Sequence, residues 1–150
     1  MKNFIKNILG VTLLEIMLVL AIAAMVIVMS VRYYQSANAS QQTNTVLSQI
    51  TSIVAAADSL AQPTGSYATS VTTAKVQAIL PANSMTTPWG TAITISAPAA
   101  SSYTINIPSM PADVCPLVTG KLGTNNHFTV ITACAASGPT TVTTTYLANP

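Results

Sequence analysis

Charged residues are scarce in this chain. Asp, Glu, Lys and Arg make up 5% of its 150 residues, against about a quarter in an average soluble domain. The five basic residues form no patch along the sequence, so no specific nucleic acid partner is expected. Half of the residues are apolar and the mean hydropathy is +0.53. The length fits one domain, or one domain with an extension.

Residues suited to catalysis are equally few. The only histidine is His127, and the only acids are Glu15, Asp58 and Asp113, far apart in the sequence. No carboxylate pair, Ser/His/Asp arrangement, phosphate-binding loop or metal-ligand spacing is present. We therefore expect no enzyme activity, no cofactor and no metal site. His127 is interpreted as a surface or hydrogen-bonded core residue, and Asp58 and Asp113 as isolated, with Asp113 a candidate cap for a turn.

The two cysteines, Cys115 and Cys134, follow an export-like N-terminal segment. Two cysteines in that context favour one disulfide in an oxidising compartment, and two buried free thiols are the alternative. The disulfide would close a loop of about 19 residues and contribute on the order of 3 kcal/mol to stability.

One apolar run dominates the N-terminal region. Val11–Val31 contains only three polar residues, and these roughly 21 residues would form a helix of about 31 Å, enough to cross a bilayer. Lysines precede the run and the pair Tyr33-Tyr34 follows it. This arrangement favours an N-terminus in the cytoplasm and the rest of the chain outside.

The helical pattern continues well beyond the apolar run. No Gly or Pro occurs between Val11 and Ala61, and apolar residues recur at intervals of three and four from Val46 onward, until Pro63 and Gly65. The sequence predicts one helix over about residues 12–61, roughly 75 Å long, with an apolar first half and an amphipathic second half. A remainder of about 90 residues is too small to bury it, so half must contact lipid or other copies.

The C-terminal part predicts an α+β head. A short helix is expected over 72–80, capped by Thr72 and stopped by Pro81. Four antiparallel strands, rich in Ile, Val, Thr and Tyr, are expected over 92–96, 103–107, 128–133 and 142–147. One face of this sheet should pack on the amphipathic half of the long helix. Residues 111–121 are expected to hold a short helical turn limited by Pro116, and Trp89 to anchor a packed turn.

Glu15 is the feature of the apolar run that requires an explanation. A carboxylate in a membrane span costs roughly 2.5 to 3.5 kcal/mol, and such residues are usually paired. No basic residue lies three or four positions away. If the chain were cut after Gly10, the new ammonium group of Val11 would lie about one helical turn from Glu15, and it would be equally accessible to Glu15 of a neighbouring copy.

The stretch KNILGVTLLEIMLVLAIAAMVIV resembles the class III signal of a type IV prepilin. Gly10 matches the residue before the scissile bond, Val11 the mature N-terminus, and Thr12 and Glu15 the second and fifth mature positions. The resemblance to type IV pilins extends over the whole chain and is closest in character to the type IVb and conjugative thin-pilus pilins. Thr86–Gly90 is also similar to the Pro-Trp-Gly turn of several pilins.

The resemblance implies a function as the major structural subunit of a pilus. A prepilin peptidase would cleave after Gly10 and methylate the amine of Val11. The pilin would wait in the bacterial inner membrane until an assembly platform moves it into an extracellular helical homo-oligomer for adhesion, conjugation or motility. Glu15, with Thr12, would act in assembly by pairing with the amine of a neighbour.

The implied organisation has four parts. These are a leader over 1–10, a transmembrane or filament-core half-helix over 11–34, an amphipathic half-helix over 35–62 and a globular β head with the disulfide over 63–150.

Three other interpretations remain open. The chain could be a type II secretion pseudopilin or a minor pilin, although no acidic residue follows Cys134 to form a calcium site. It could be a monomeric, membrane-anchored binding module. Ala37–Ala39 also fits an ordinary signal-peptidase site, with a secreted chain starting at Ser40; however, the apolar run is longer than the 7 to 15 residues usual for such signals.

Overall fold

A computed structural model describes the backbone over residues 4–96, 99–130 and 132–149, and the side chains from residue 13 onward within these ranges. The chain has an α+β fold with one long N-terminal helix and a C-terminal four-stranded antiparallel sheet. It divides into two compact units, Met1–Asn38 and Ala39–Pro150. We call the second unit the head.

Helix α1 spans Phe4–Ala61, so it begins eight residues before the predicted start. Gly10 is the weakest helix former among residues 4–12, and a single glycine is tolerated at a cost of about 1 kcal/mol. The helix ends where the sequence predicts. Pro63 lacks an N–H, and Gly65, in the left-handed conformation at φ +64°, donates its N–H to the carbonyl of Ala61.

Within the head, the second half of α1 contributes one buried face. Five buried apolar residues of this face are spaced by three or four, as predicted: Val46, Ile50, Ile53, Ala57 and Ala61. Thr43 and Ala56 are buried as well. The five spaced residues share a single hydrophobic cluster with the inward side chains of the sheet. The amphipathic half of the helix therefore forms one wall of the core of the head.

The sheet has the strand order β1-β2-β4-β3, and every neighbouring pair is antiparallel. The strands are β1 over Thr94–Ser96, β2 over Ser102–Met110, β3 over Phe128–Val130 and β4 over Thr140–Leu147. All four match predicted strands with shifted ends. Residues alternate between buried and more exposed along β1 and β2, which is the pattern of a sheet with one covered face.

Strand β2 extends three residues beyond the predicted end. A register irregularity between Ile107 and Met110 accommodates Pro108 and Ser109, and Ser109 has a φ of +54°. A bulge removes these residues from the regular ladder, so the missing N–H of proline breaks no regular pair. The sequence predicts an end at Ile107, directly before the proline.

Two short helices flank the sheet. Helix α2 spans Thr73–Ile79, with Thr72 as its N-cap accepting from the backbone N–H of Lys75; this confirms the prediction. Helix α3 spans Cys115–Gly123 and is longer than expected. Its proline lies in the first turn, where a missing N–H leaves no bond unmade. Asp113 does not cap this helix, because the N-cap is Val114 without a side-chain hydrogen bond.

The predicted disulfide is present. Cys115 at the start of α3 is bonded to Cys134 in the segment after β3, with the two Cα atoms 5.8 Å apart. Cys115 is fully buried in the core of the head. The bond therefore ties α3 to a segment that has no regular secondary structure at residues 132–136.

Trp89 anchors a turn, as predicted. Its Nε1 donates to the carbonyl of Pro108 at 2.9 Å, and its half-buried ring packs on the core. Gly90, at φ +85°, completes the turn by donating its N–H to the carbonyl of Thr87. The turn is thereby fixed to strand β2.

We predict that the disulfide stabilises the head by restricting the unfolded chain. A Cys115→Ala/Cys134→Ala variant should lose about 3 kcal/mol of unfolding free energy in denaturant titration, as expected for closure of a loop with this separation. Reduction of the wild-type chain should produce a loss of similar size. A change below about 0.5 kcal/mol in both experiments would contradict the prediction.

Candidate functional sites in helix α1 and in the head

The apolar part of α1 is exposed along its described length. Its large apolar side chains from Leu13 to Val31 all have more than half of their surface accessible, with Leu13 at 62% and Val31 at 51%. This contrasts with the buried face of the same helix within the head. In length and composition, α1 could cross a membrane, and its most apolar window is not buried at all. The exposed surface is therefore compatible with membrane anchoring.

Glu15 lies on this exposed surface. The residues three and four positions away in α1 are Val11, Thr12, Leu18 and Val19, none of which is basic. These are the positions that a helix brings close to Glu15. The helix itself therefore supplies no counter-ion for the carboxylate.

The predicted cleavage site lies inside α1. Residues 10 and 11 have helical backbone, since the helix begins at Phe4; the side chains of residues 4–12, Val11 and Thr12 included, lie outside the described part. Helical rise separates residues 11 and 15 by about 6 Å along the axis. A protease that cut this bond would have to unwind the helix there, and Gly10 weakens the helix by about 1 kcal/mol.

The one hydroxyl at the end of the apolar run is satisfied within the helix. Ser30 Oγ donates to the carbonyl of Val26 at 2.7 Å. Such a bond to the preceding turn removes a free donor, which matters most where water is absent. Ser30 is therefore compatible with a lipid or filament environment, and Glu15 remains the one acid in the run.

The head contains a cleft of about 350 Å³. Four segments meet there: the end of α1, the turn after it, the loop before β2 and the end of β4. The lining residues are Asp58, Ala61, Gln62, Gly65, Tyr67, Ala100, Ser101, Ala148 and Asn149. Asp58 is the only charged residue among them.

The carboxylate of Asp58 is held by a tyrosine. Tyr67 Oη donates to Asp58 Oδ1 at 2.7 Å. The ring of Tyr67 lies 5.2 Å from that of Tyr103 and 6.5 Å from that of Tyr146, and the latter two rings are also 5.2 Å apart. These distances are typical of stabilising aromatic pairs. We call Tyr67, Tyr103 and Tyr146 the tyrosine cluster.

Burial and the Asp58 carboxylate act in the same direction on the tyrosine cluster. Burial raises the pKa of Tyr67, and its hydrogen bond to Asp58 raises the pKa further. The pKa values of Tyr103 and Tyr146 are also raised, first by burial and then by the negative charge of Asp58. Each hydroxyl is thus kept protonated, because ionisation would place a second negative charge beside the carboxylate.

Tyr103 is the unusual member of the cluster. It is fully buried, and its hydroxyl has no hydrogen-bond partner among the described atoms of the protein. A buried hydroxyl without a partner costs about 1 to 3 kcal/mol. No sequence pattern predicts this arrangement, since nothing in the β2 strand pattern distinguishes Tyr103 from an ordinary inward-facing aromatic residue.

His127 borders the cluster and is not among the residues that line the cleft. Its ring stacks on Tyr146 with a centroid distance of 5.6 Å, and Nδ1 is 2.9 Å from the carbonyl of Leu147. The residue is hydrogen-bonded and partly buried, as the sequence predicted. The interpretation of Asp58 as isolated was wrong, because its carboxylate accepts a hydrogen bond from Tyr67. The turn of the chain at Pro63 brings these two residues together.

Within the described residues, no group of three or more His, Cys, Asp or Glu side chains could hold a metal ion. No family model, curated protein or solved structure matches the chain.

We predict that the head loses stability above about pH 10. The unfolded chain releases tyrosine protons near pH 10 while the folded head retains them, so unfolding free energy falls as pH rises, by up to about 1.4 kcal/mol per pH unit for each such tyrosine. Chemical denaturation of the full chain between pH 8 and pH 11.5 measures this slope.

A Tyr103→Phe variant provides the control. Removal of an unpartnered hydroxyl should leave stability at pH 8 unchanged or slightly higher, and should make the slope above pH 10 shallower. An unaltered slope would show that Tyr103 does not contribute to the effect.

Proposed function

We propose that this chain is the precursor of a type IV pilin and forms the major subunit of a helical extracellular filament. The observation that carries the proposal is the exposed apolar segment Leu13–Val31 of α1 with a single carboxylate, Glu15, five residues after Gly10. A disulfide-bonded α+β head on the same chain supports it. An apolar surface of this extent needs lipid or other copies of the chain as its environment.

In this proposal, processing creates the missing cation. A prepilin peptidase cleaves between Gly10 and Val11 and methylates the new amine of Val11. The uncut amide at this position carries no charge, whereas the freed amine does. Before assembly the precursor spans the inner membrane, with the head outside; this orientation is supported by the lysines before the run and the tyrosines after it.

Assembly then exchanges one apolar environment for another. When α1 leaves the bilayer and joins other copies in the filament core, its apolar side chains stay out of water, so little hydrophobic free energy is lost. Apolar packing alone specifies register weakly. Pairing of Glu15 with the Val11 amine of a neighbouring copy supplies a polar contact that fixes register, as buried polar groups do in some helical assemblies. An inner-membrane assembly platform drives the exchange.

The head would form the outer surface of the filament and the contact with cells or solids. The sheet exposes threonine and serine rather than charged groups: Thr94, Ser96, Thr129 and Thr141 are all exposed. Such a surface suits adhesion or conjugation with little long-range repulsion. Filament function, whether adhesion, conjugation or motility, depends on partners outside the chain.

A second function is favoured by the cleft in the head. A membrane-anchored binding module would use α1 only as an anchor and the cleft as its site. The two functions differ in assembly, since a module remains dispersed while a pilin sediments as filaments. The remaining possibility is a type II secretion pseudopilin or a minor pilin. Such a subunit would assemble together with other subunits, and those would be the main component of the filament.

We predict that the native mature chain begins at Val11 and carries one methyl group on its amine. Mass spectrometry of the N-terminal peptide tests both features. A Gly10→Val variant should remain uncut, because a branched side chain replaces the residue that the peptidase requires. An Ala21→Val variant, altered in the same helix away from the site, is the control and should be processed normally. A native chain starting at Ser40 would refute the proposal.

We also predict that Glu15→Gln reduces the yield of sheared filaments by at least about tenfold, because the neighbouring ammonium would be left without its partner. The matched control is Asp113→Asn, which makes the same carboxylate-to-amide change in the head. Both variants should still be cleaved after Gly10. Filaments of normal yield and length from cleaved Glu15→Gln subunits would contradict the role of Glu15.

A further inference from the structure

We propose that the cleft beside the tyrosine cluster binds a primary ammonium group, with the Asp58 carboxylate as its counter-ion. The inference concerns the head alone and does not depend on filament assembly. The cleft is large enough, at about 350 Å³, for an alkylammonium or one lysine side chain.

The carboxylate is oriented before any ligand arrives. Tyr67 donates to Oδ1 of Asp58 at 2.7 Å, and the Tyr67 ring is itself held against the other two tyrosines. No hydrogen bond is found to the second oxygen, Oδ2, within the described part of the chain. Because Asp58 is only half-buried and lines the cleft, that oxygen is available to a charged donor. A charge-assisted bond to a fixed carboxylate is among the stronger polar contacts.

The rest of the cleft also favours a cation. No lysine or arginine lines it, so a bound anion would face Asp58 without compensation. Three further lining side chains, Gln62, Ser101 and Asn149, are neutral and can accept hydrogen bonds. An ammonium group with three donors fits one carboxylate and neutral acceptors.

A saccharide fits less well. Sugar rings are commonly held by an exposed aromatic face, and the only aromatic residue lining the cleft, Tyr67, is 9% exposed with its ring packed in the cluster. The cleft therefore presents an oriented charge rather than a stacking surface.

Tyr103 does not line the cleft, but its ring packs against Tyr67, which does. Tyr103 is 0% exposed, its hydroxyl is without a partner among the described atoms, and its ring lies 5.2 Å from that of Tyr67. Burial, and after it the negative charge of Asp58, raise the pKa of Tyr103. A positive ligand at Asp58 would offset the negative charge that this carboxylate places beside the tyrosine cluster.

The lysines of the head are engaged elsewhere within the chain. Lys75 Nζ donates to the carbonyl of Thr69 at 3.0 Å, and Lys121 Nζ donates to Asn44 Oδ1 at 3.1 Å. Both partners are neutral, so neither lysine has its charge compensated by these bonds. The ammonium group at Asp58 can thus come from a free alkylammonium or from Lys75 or Lys121 of a second copy.

The first experiment measures binding of n-butylammonium to the full chain in an uncharged detergent. Calorimetric titration and tyrosine near-UV circular dichroism provide two readouts. We expect saturable binding that weakens by about tenfold or more in Asp58→Asn, since one charge-assisted bond is lost. Asparagine keeps an acceptor for the Tyr67 hydroxyl, so this variant should remain folded.

The controls separate charge from shape. Asp113→Asn, the other carboxylate of the head, should bind n-butylammonium like the wild type, and 1-butanol should not give saturable binding. The inference is overturned if no saturable binding of n-butylammonium is found, if Asp58→Asn binds as well as the wild type, or if 1-butanol binds equally.

The second experiment distinguishes the two sources of the ammonium group. A carbodiimide joins a carboxylate and an amine in direct contact as an amide, and peptide mapping locates the bond. An amide between Asp58 and Lys75 or Lys121 of another copy, lost in Lys75→Gln or Lys121→Gln, identifies a second copy as the source. Binding of n-butylammonium without any such amide identifies a free amine.

Discussion

The structure depends on one imbalance: helix α1 carries far more apolar surface than this chain can cover. Its second half buries one face in the core of the head, where Val46, Ile50 and Ile53 are fully inaccessible. The segment from Leu13 to Val31 buries none of its large side chains. Water is an unfavourable environment for such a surface, which supports the proposal that lipid or other copies of the chain cover it.

Glu15 is important because it lies within this exposed apolar segment of α1. On an ordinary solvated helix, a single carboxylate has little consequence. In an apolar stretch without a basic residue at helical spacing, the same group must find a cation from outside its own helix. The proposed cut after Gly10 would supply that cation on every copy. Processing, membrane residence and assembly would then be linked through one charge pair rather than through extensive polar contacts.

The stability of the head depends on packing, because the head has few charged residues. The sheet, the buried face of α1 and helix α3 form one hydrophobic cluster, and the disulfide ties α3 to an irregular segment. At one end of this core, three tyrosines and Asp58 concentrate polar atoms that the sequence scatters over almost ninety positions. In the resulting cleft, an oriented carboxylate lines a cavity.

Local pattern was enough to predict much of this protein. The 3.6-residue periodicity around Val46–Ala61, the breaker at Pro63 and the cap at Thr72 are short-range signals. They predicted the second half of α1, its end and α2 correctly, whereas α1 begins eight residues before its predicted start. Alternation of side chains located all four strands, and the pairing of Cys115 with Cys134 followed from composition and context. The errors lie where context overrides local rules: Pro108 is accommodated by a bulge, and Pro116 lies in the first turn of α3.

Tertiary structure alone decided the strand order β1-β2-β4-β3 and the meeting of Asp58 with Tyr67, Tyr103 and Tyr146. Residues that close the cleft come from four segments, and no periodicity links positions 58, 101 and 149. Helix formation, helix termination and strand alternation depend on neighbours within a few residues, so the amino-acid sequence states them directly. Contacts between distant segments depend on how complete elements pack together, and for this reason only the folded head reveals its cleft.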